Sequence, residues 1–151
     1  MKKTLTIAGL SLLASSTALA VPEAGTTMMG AAGGIHVTPG DMMVVLGASY
    51  GQFQDGGLFL GGGAATMLMP DFALTVDLTA QKWMEMGMFD AFAGVDVTLP
   101  VMPDFGYDVN IDVGIAKWYS DNFAITVTNV LGGLLAGEIS DDIVFGTVAT
   151  F

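Results

Sequence analysis

Apolar and polar residues alternate along three long segments of this chain. From Phe105 to Ala116 the odd positions are apolar and the even positions are polar or small, and a similar period of two runs through 72–81 and 89–99. Successive side chains of a β-strand point to opposite faces, whereas a helix would scatter these residues around its circumference. The pattern therefore predicts strands with one apolar and one polar face.

The remaining segments follow with less contrast and predict an all-β chain. Turn-forming residues separate the strands, and a longer connection runs from Gly132 to Asp142. Strands of this length exceed the roughly 5–6 residues usual in soluble proteins and match the ~9–11 that cross a bilayer at a tilt. The eight predicted strands are about 25–37, 42–53, 57–68, 72–83, 88–99, 105–117, 122–131 and 142–151.

The first twenty residues have the features of a secretory signal. Lys2 and Lys3 precede an apolar run from Leu5 to Leu13, and Ala18-Leu19-Ala20 fits a signal-peptidase site. An uncleaved anchor is the alternative, but the run is shorter than the roughly 20 residues of a spanning helix. We predict a signal peptide at 1–20 and one domain at 21–151.

The composition excludes several function classes. The chain has 15 acidic residues and no arginine, and only Lys82 and Lys117 lie beyond the predicted signal. A nucleic-acid partner is excluded because neutralising phosphates requires a basic surface. The absence of cysteine excludes disulfides, thiolate metal sites and cysteine nucleophiles. An apolar content of 52% excludes a disordered chain.

A short internal repeat supports a succession of hairpins. Met69-Pro70-Asp71-Phe72 recurs as Met102-Pro103-Asp104-Phe105, and Lys82-Trp83 recurs as Lys117-Trp118. Each copy is interpreted as a tight turn followed by one full strand with an aromatic and basic end. Soluble solenoid repeats usually lack such long two-faced strands. We therefore favour hairpin duplication within a barrel.

With these features the chain resembles the small eight-stranded outer-membrane barrels, the class of the OmpA transmembrane domain and OmpX. The most specific feature is the final alternating strand, which closes on Phe151. A C-terminal Phe looks like the terminal signal by which the barrel-assembly machinery recognises this class. The resemblance implies a closed antiparallel up-and-down β-barrel, in contact with outer-membrane lipid, in a Gram-negative bacterium.

An even number of strands returns both termini to the periplasm. Turns near Asp55, Glu85 and Ser120 would then be periplasmic, and loops near Gly40, Pro70, Pro103 and 133–141 would be external. Lys82 and Lys117 have the lipid-facing parity, so we expect both to snorkel to the interface. We also expect two aromatic girdles, with Trp83, Trp118, Tyr119, Phe89, Phe123 and Phe151 at the periplasmic rim and Phe72 and Phe105 at the outer rim.

Five aspartates share the parity that faces the barrel interior. With i + j near 204 across the fifth hairpin, Asp96 would lie opposite Asp108, and like charges so placed repel. The carboxylates could be hydrated in a cation-selective pore, could bind a hard cation such as Ca²⁺, or could in part be protonated. We predict these as pore-lining acidic residues: Asp77, Asp90, Asp96, Asp108 and Asp112, accompanied by Asn110.

Many interior positions are small, and we expect them to leave room for water, although strand glycines can also permit tight coiling. These positions are Gly47, Ser49, Gly51, Gly61, Gly63, Ala65, Gly94, Gly106, Gly114 and Gly146.

Two further patterns suggest chemistry only weakly. His36 would lie beside Ser140, Asp141 and Asp142 if the first and last strands pair, which is the minimum set for acyl transfer. A rim histidine bonded to a loop carboxylate is the preferred interpretation. Met84, Met86 and Met88 have a spacing compatible with Cu(I), but methionine more often fills apolar gaps.

The sequence therefore predicts a structural outer-membrane barrel, or one that forms a narrow cation-preferring water-filled pore. Small cations are the possible ligands. No catalytic residue, resident metal or cofactor is predicted. The alternatives are a secreted soluble β-protein or surface-assembly subunit and, less favoured, an outer-membrane lipid-modifying hydrolase.

Overall fold

In the computed structural model each strand pairs with the next strand along the chain, and the last strand returns to the first. All pairs are antiparallel, and the eight strands form a closed barrel. The structure describes residues 21–38, 41–69, 72–103, 105–132, 134–135 and 140–151, with the backbone alone at 35–38, 41–43, 69 and 140–141. The predicted fold class is confirmed.

All eight predicted strands are present, and their ends shift by at most three residues. A short 3-10 turn at Asp55–Gly57 joins the second and third strands, and Gly56 and Gly57 supply the positive φ that this turn requires. The strands are β1 Thr27–Thr38, β2 Asp41–Gln54, β3 Leu58–Met69, β4 Ala73–Glu85, β5 Asp90–Met102, β6 Asp108–Ser120, β7 Phe123–Gly132 and β8 Ser140–Thr150.

The first and last strands close the barrel. Their register runs from Met28 opposite Thr150 to Gly34 opposite Val144. Beyond β8, the Phe151 amide donates to the Thr27 carbonyl at 2.9 Å, and the Thr27 amide donates to the Phe151 carbonyl at 3.2 Å. Closure pairs the backbone groups that an open sheet edge would leave exposed.

The two faces of the strands differ as the alternation predicts. Large apolar side chains on the strands' outward positions are more than a third exposed, among them Leu46, Leu60, Leu78, Val95, Val113 and Phe145. Soluble monomers rarely expose contiguous apolar surfaces of this kind. Across the described residues, no helix has the length and apolar character needed to cross a membrane.

The barrel has two distinguishable ends. We call one the terminal end, because the start of β1, the end of β8 and the connections at 55–57, 86–89 and 121–122 lie there. The other, the opposite end, carries the connections after β1, β3, β5 and β7. The buried apolar core lies inside the barrel toward the terminal end.

Candidate functional site: the barrel interior

Four aromatic side chains pack together inside the terminal end. Cross-strand register places Phe53 opposite Phe59 and Trp83 opposite Phe92. The Trp83 and Phe92 rings stack with centroids 4.6 Å apart, and Phe53 packs 5.3 Å from Phe59 and 5.5 Å from Trp83. None of the four is more than 3% exposed. This aromatic cluster occupies the part of the interior next to β2, β3, β4 and β5 at the terminal end.

Glycines opposite and beside the rings create the room for this cluster. A Cβ at Gly114 would overlap the Phe92 ring, and a Cβ at Gly51 or Gly61 would overlap the Phe59 ring. Our expectation that these small residues leave space for water is therefore wrong at these three positions, because aromatic rings occupy the space. The prediction that Gly106 is an interior position is also wrong, since Gly106 lies outside β6 and is exposed.

The predicted periplasmic girdle is wrong for its two tryptophans. Trp83 and Trp118 lie at the terminal end but point into the barrel, and each is 3% exposed. Both occupy inward-facing positions, and indoles that are buried need a hydrogen-bond partner, which each finds inside. The other predicted rim residues are at the expected ends: Tyr119, Phe89, Phe123 and Phe151 at the terminal end, and Phe72 and Phe105 at the opposite end.

The two lysines of the repeat occupy equivalent positions. Lys82 is exposed on the outer face and its ammonium group donates to the carbonyl of Gly56, in the connection between β2 and β3. Lys117 donates to the carbonyl of Met88 at 2.9 Å, in the connection between β4 and β5. Lys117 is only 3% exposed, and the expectation that both lysines snorkel to the interface stays a prediction.

The five aspartates lie on three neighbouring strands, and their strand positions face inward. Asp77 is on β4, Asp90 and Asp96 are on β5, and Asp108 and Asp112 are on β6. They share the parity of the buried Trp83, Phe92 and Trp118 side chains. We call them the aspartate set; their role as pore-lining residues stays a prediction.

The register across β5 and β6 differs from the expected one. Asp96 lies opposite Asn110, and Asp108 lies opposite Thr98, so i + j is 206 and the two aspartates are not paired. Neutral donors surround Asp96 instead: Thr79 donates to one carboxylate oxygen at 2.5 Å and Thr98 to the other at 3.0 Å. Asn110 in turn donates to the Thr98 hydroxyl at 2.7 Å.

Gln81 connects the aspartate set to the aromatic cluster. Its side-chain oxygen accepts the Trp83 indole N–H at 3.1 Å, and its side-chain amide donates to Oδ2 of Asp112. Asp112 is 4% exposed, and its Oδ1 has no hydrogen-bond partner among the described residues. Gly94 lies opposite Asp112, and a Cβ there would come within 3.0 Å of that same oxygen.

Asp90 and Asp108 of the aspartate set lie at opposite ends of the barrel. Asp90 is 1% exposed at the terminal end, where Oδ2 accepts the Trp118 indole N–H at 2.8 Å. Asp108 lies at the opposite end, where its Oδ1 accepts the amides of Val109 at 2.9 Å and Leu135 at 3.2 Å. Asp108 thus fastens the connection after β7 to the start of β6.

A cavity of about 170 Å³ lies inside the barrel beside the aromatic cluster. Its lining includes three rings of the cluster and several hydroxyl-bearing residues. Thr79 and Gln81, which bond Asp96 and Asp112, also line it. We call this space the interior cavity. Its aromatic and hydroxyl-bearing lining consists of Phe59, Trp83, Phe92, Ser49, Thr79, Thr126, Thr128 and Thr147.

The structure describes only some of the residues in the two weaker sequence patterns, the one around His36 and the methionines at 84, 86 and 88. The pairing of β1 with β8 is as expected, but the side chains of His36, Ser140 and Asp141 lie outside the described residues. Met84, Met86 and Met88 are 47%, 58% and 63% exposed. Within the described part of the chain, no three His, Cys, Asp or Glu side chains form a group that could hold a metal ion.

Sequence reasoning missed the neutral partners of the aspartates. Thr79, Gln81 and Thr98 carry the inward parity, which could have marked them as interior residues. Which carboxylate each one bonds depends on register, and register depends on turn geometry that the sequence does not specify.

Comparison with known proteins supports the fold. The crystal structure of the N-terminal β-barrel domain of Pseudomonas aeruginosa OprF superposes with a TM-score of 0.64, covering 85% of this chain and 98% of that domain. The chain shares that domain's fold. Sequence identity over the match is 15%. No protein-family model and no curated protein matches the chain.

Proposed function

We propose that this protein is an outer-membrane β-barrel of a Gram-negative bacterium. The observation that carries the proposal is the outward face of a closed sheet, on which large apolar side chains are exposed. Lipid is the environment that suits such a face, because closed barrels leave no backbone edge unpaired in the bilayer. The similarity to the OprF barrel domain supports the same proposal.

The soluble alternatives fit this geometry less well. A surface-assembly subunit that stacks strands needs a free sheet edge to accept the next strand. Here β1 and β8 pair with each other along seven residue pairs. A lipid-hydrolase role depends on His36 and Ser140, whose side chains lie outside the described residues, and we do not propose it. Retained lipid modification in a His36→Ala variant would exclude it.

Gel migration tests the membrane proposal. The purified protein is folded into detergent and run on a gel with and without boiling, and membranes of expressing cells are separated by density. We expect the unboiled sample to migrate differently from the boiled one, and the protein to fractionate with outer membranes. Identical migration together with recovery in the soluble fraction would exclude a membrane barrel.

We further propose a structural role in which the interior is closed at the terminal end. The aromatic cluster supports closure, since its four buried rings lie inside the barrel at that end. A narrow cation-preferring pore is the second candidate, and the aspartate set favours it. Lys82 and Lys117 both lie on outward positions, so neither neutralises the aspartates from inside. An acidic interior would attract cations and repel anions.

Planar-bilayer currents across a KCl gradient distinguish the two candidates. A closed structural barrel gives a silent bilayer after folding has been verified by gel migration. A cation pore gives discrete steps whose reversal potential favours K⁺, and this preference falls in Asp96→Asn and Asp108→Asn.

A further inference from the structure

We infer that the connection between β4 and β5 is a binding site for Cu(I), held by the thioether sulfurs of Met84, Met86 and Met88. The inference goes beyond the proposed membrane role and requires only that the barrel is folded. It is carried by the tight turn that brings the three residues together, by the exposure of their side chains, and by the ligand chemistry of sulfur.

The connection is a tight hairpin turn. The Met86 amide donates to the Phe89 carbonyl at 3.0 Å, so only Gly87 and Met88 lie between these two positions. Gly87 has a φ of 83° and Met88 has no positive φ, which is the combination of a type II′ turn. Met84 and Met86 alternate along the extended chain, so they share one side of it at a spacing of about 7 Å. Flexible methionine side chains can bring their sulfur atoms together across this distance.

Packing does not account for the three methionines. A methionine most often fills an irregular gap among buried apolar residues, but each of these three side chains is roughly half exposed or more. A Cβ added at Gly87 would meet no other atom within 4 Å, so the connection is open on that side. The sulfur atoms are therefore accessible to a small ion from outside the barrel.

Contact with lipid hydrocarbon does not account for Met86 and Met88 either. Lys117 donates to the Met88 carbonyl at 2.9 Å, and Lys82 donates to a carbonyl of the connection between β2 and β3 at the same end. Lysine ammonium groups lie at the polar interface of a membrane because hydrocarbon does not solvate their charge. Glu85, directly before Met86, is also exposed. The turn therefore lies at the polar edge of the barrel, where an apolar side chain gains little from lipid.

The ligand chemistry is that of a soft cation. Thioether sulfur is a soft ligand that selects Cu(I), whereas hard cations such as Ca²⁺ take oxygen ligands. Within the part of the chain that the structure describes, no three His, Cys, Asp or Glu side chains form a group that could hold a metal ion. A hard divalent cation therefore finds no comparable set of ligands there, and three thioethers on one turn favour Cu(I).

The methyl resonances of methionine report this binding directly. The protein with isotope-labelled methionine methyl groups is folded into an alkyl maltoside and titrated with Ag⁺ in a chloride-free nitrate buffer. Ag⁺ has the charge and the sulfur preference of Cu(I) and needs no reductant. The titration is repeated with Cu(I) as its acetonitrile complex under nitrogen, and Zn²⁺ is the comparison ion. Gel migration verifies that each protein is folded, which separates a missing site from a missing barrel.

Leucine variants identify the ligands. Each resonance is assigned from the single variant in which it is missing, and the triple variant Met84→Leu/Met86→Leu/Met88→Leu removes the site. Met29→Leu is the matched control, because Met29 is 50% exposed at the same end of the barrel but lies on β1.

We expect the three resonances to shift together with Ag⁺ and with Cu(I), to saturate at one ion per chain, and not to shift with Zn²⁺. The triple variant is expected to bind at least tenfold more weakly, and Met29→Leu to bind like the wild type. If the triple variant does not fold, Met86→Leu must show the loss. The inference is overturned if the folded wild type binds neither ion, if all exposed methionines shift alike, if Zn²⁺ competes with Cu(I), or if the variants at the turn bind like the wild type.

Discussion

Trp83 and Asp112 are linked through a single side chain. Gln81 accepts the indole N–H of Trp83 at 3.1 Å and donates to the carboxylate of Asp112. Trp83 belongs to the aromatic cluster and Asp112 to the aspartate set, and both are nearly fully buried. Gln81 therefore holds the two parts of the interior in a fixed relation to each other.

Replacing Gln81 should destabilise the barrel measurably. Gln81→Leu keeps a similar volume but leaves the Trp83 donor and one Asp112 oxygen without partners. Each unsatisfied buried polar group costs about 1–3 kcal/mol, so we expect a loss of about 2 kcal/mol or more in the free energy of unfolding. Urea unfolding in detergent measures it. Gln54→Leu is the control, because the bond that the Gln54 side-chain amide donates to the Gln52 carbonyl is long, at 3.5 Å, and exposed. Equal stability of the two variants would contradict the role given to Gln81.

Gly114 should be intolerant of a side chain because of Phe92. A Cβ at this position would overlap the Phe92 ring and would also crowd the backbone carbonyl of Val127. Overpacking of this kind costs about 1–3 kcal/mol. We expect Gly114→Ala to lower the midpoint of urea unfolding. The double variant Gly114→Ala/Phe92→Leu is expected to lose less free energy of unfolding than the sum of the losses in the two single variants.

Gly33→Ala is the control for this double-mutant comparison. Gly33 also lies in a strand, but an added Cβ would make only an ordinary contact, 3.4 Å from Leu46. Strict additivity of Gly114→Ala and Phe92→Leu would show that the ring and the glycine are not coupled.

Lys117 should matter more to stability than its repeat partner Lys82. Lys117 is buried and bonds the Met88 carbonyl, whereas Lys82 is exposed where it bonds Gly56. Removing the charge-assisted bond of a buried group costs about 1.5–3 kcal/mol. We expect Lys117→Met to lower the temperature at which the unboiled gel band converts to the unfolded one, and Lys82→Met to change it less. The reverse order would refute the account of the connection between β4 and β5.

Phe151 should act in biogenesis more than in stability. The side chain of Phe151 is 75% exposed, although its backbone pairs with Thr27. We expect Phe151→Ser to fold in detergent like the wild type but to reach the outer membrane in reduced amount. Phe145→Ser, an exposed position within β8, is the control for loss of an aromatic group. Normal delivery of Phe151→Ser would remove the proposed assembly signal.

Residues with a clear period of two could be placed from the sequence. The strands and the inward parity of the aspartates follow from alternation and turn residues, and the closure of β1 on β8 is what the resemblance to small outer-membrane barrels implies. The register of β5 against β6 could not be obtained in this way. The sequence suggests a tight turn after Pro100, whereas β5 continues to Met102 and β6 begins at Asp108. The connection has the expected five residues, but the centre of the hairpin lies one residue further along the chain, which moves the partner of Asp96 from Asp108 to Asn110.

The aromatic cluster could not be predicted for a related reason. The parity of Trp83 already pointed inward, but whether a barrel holds water or rings at a given level depends on which residues lie opposite. Phe92 fits because Gly114 is its cross-strand partner, and Phe59 fits because Gly51 and Gly61 are near. These are properties of several strands together, which a single segment does not reveal.

We propose a membrane barrel whose interior is closed at the terminal end by the aromatic cluster and is acidic between that cluster and the opposite end. Planar-bilayer recording of the wild type beside a Phe92→Ala variant, each verified as folded, tests it most directly. The account predicts a silent wild type and discrete steps in the variant, with a reversal potential that favours K⁺ and a preference that falls when Asp96→Asn is added. Equal conductance in both proteins, or a variant that prefers Cl⁻, would contradict it.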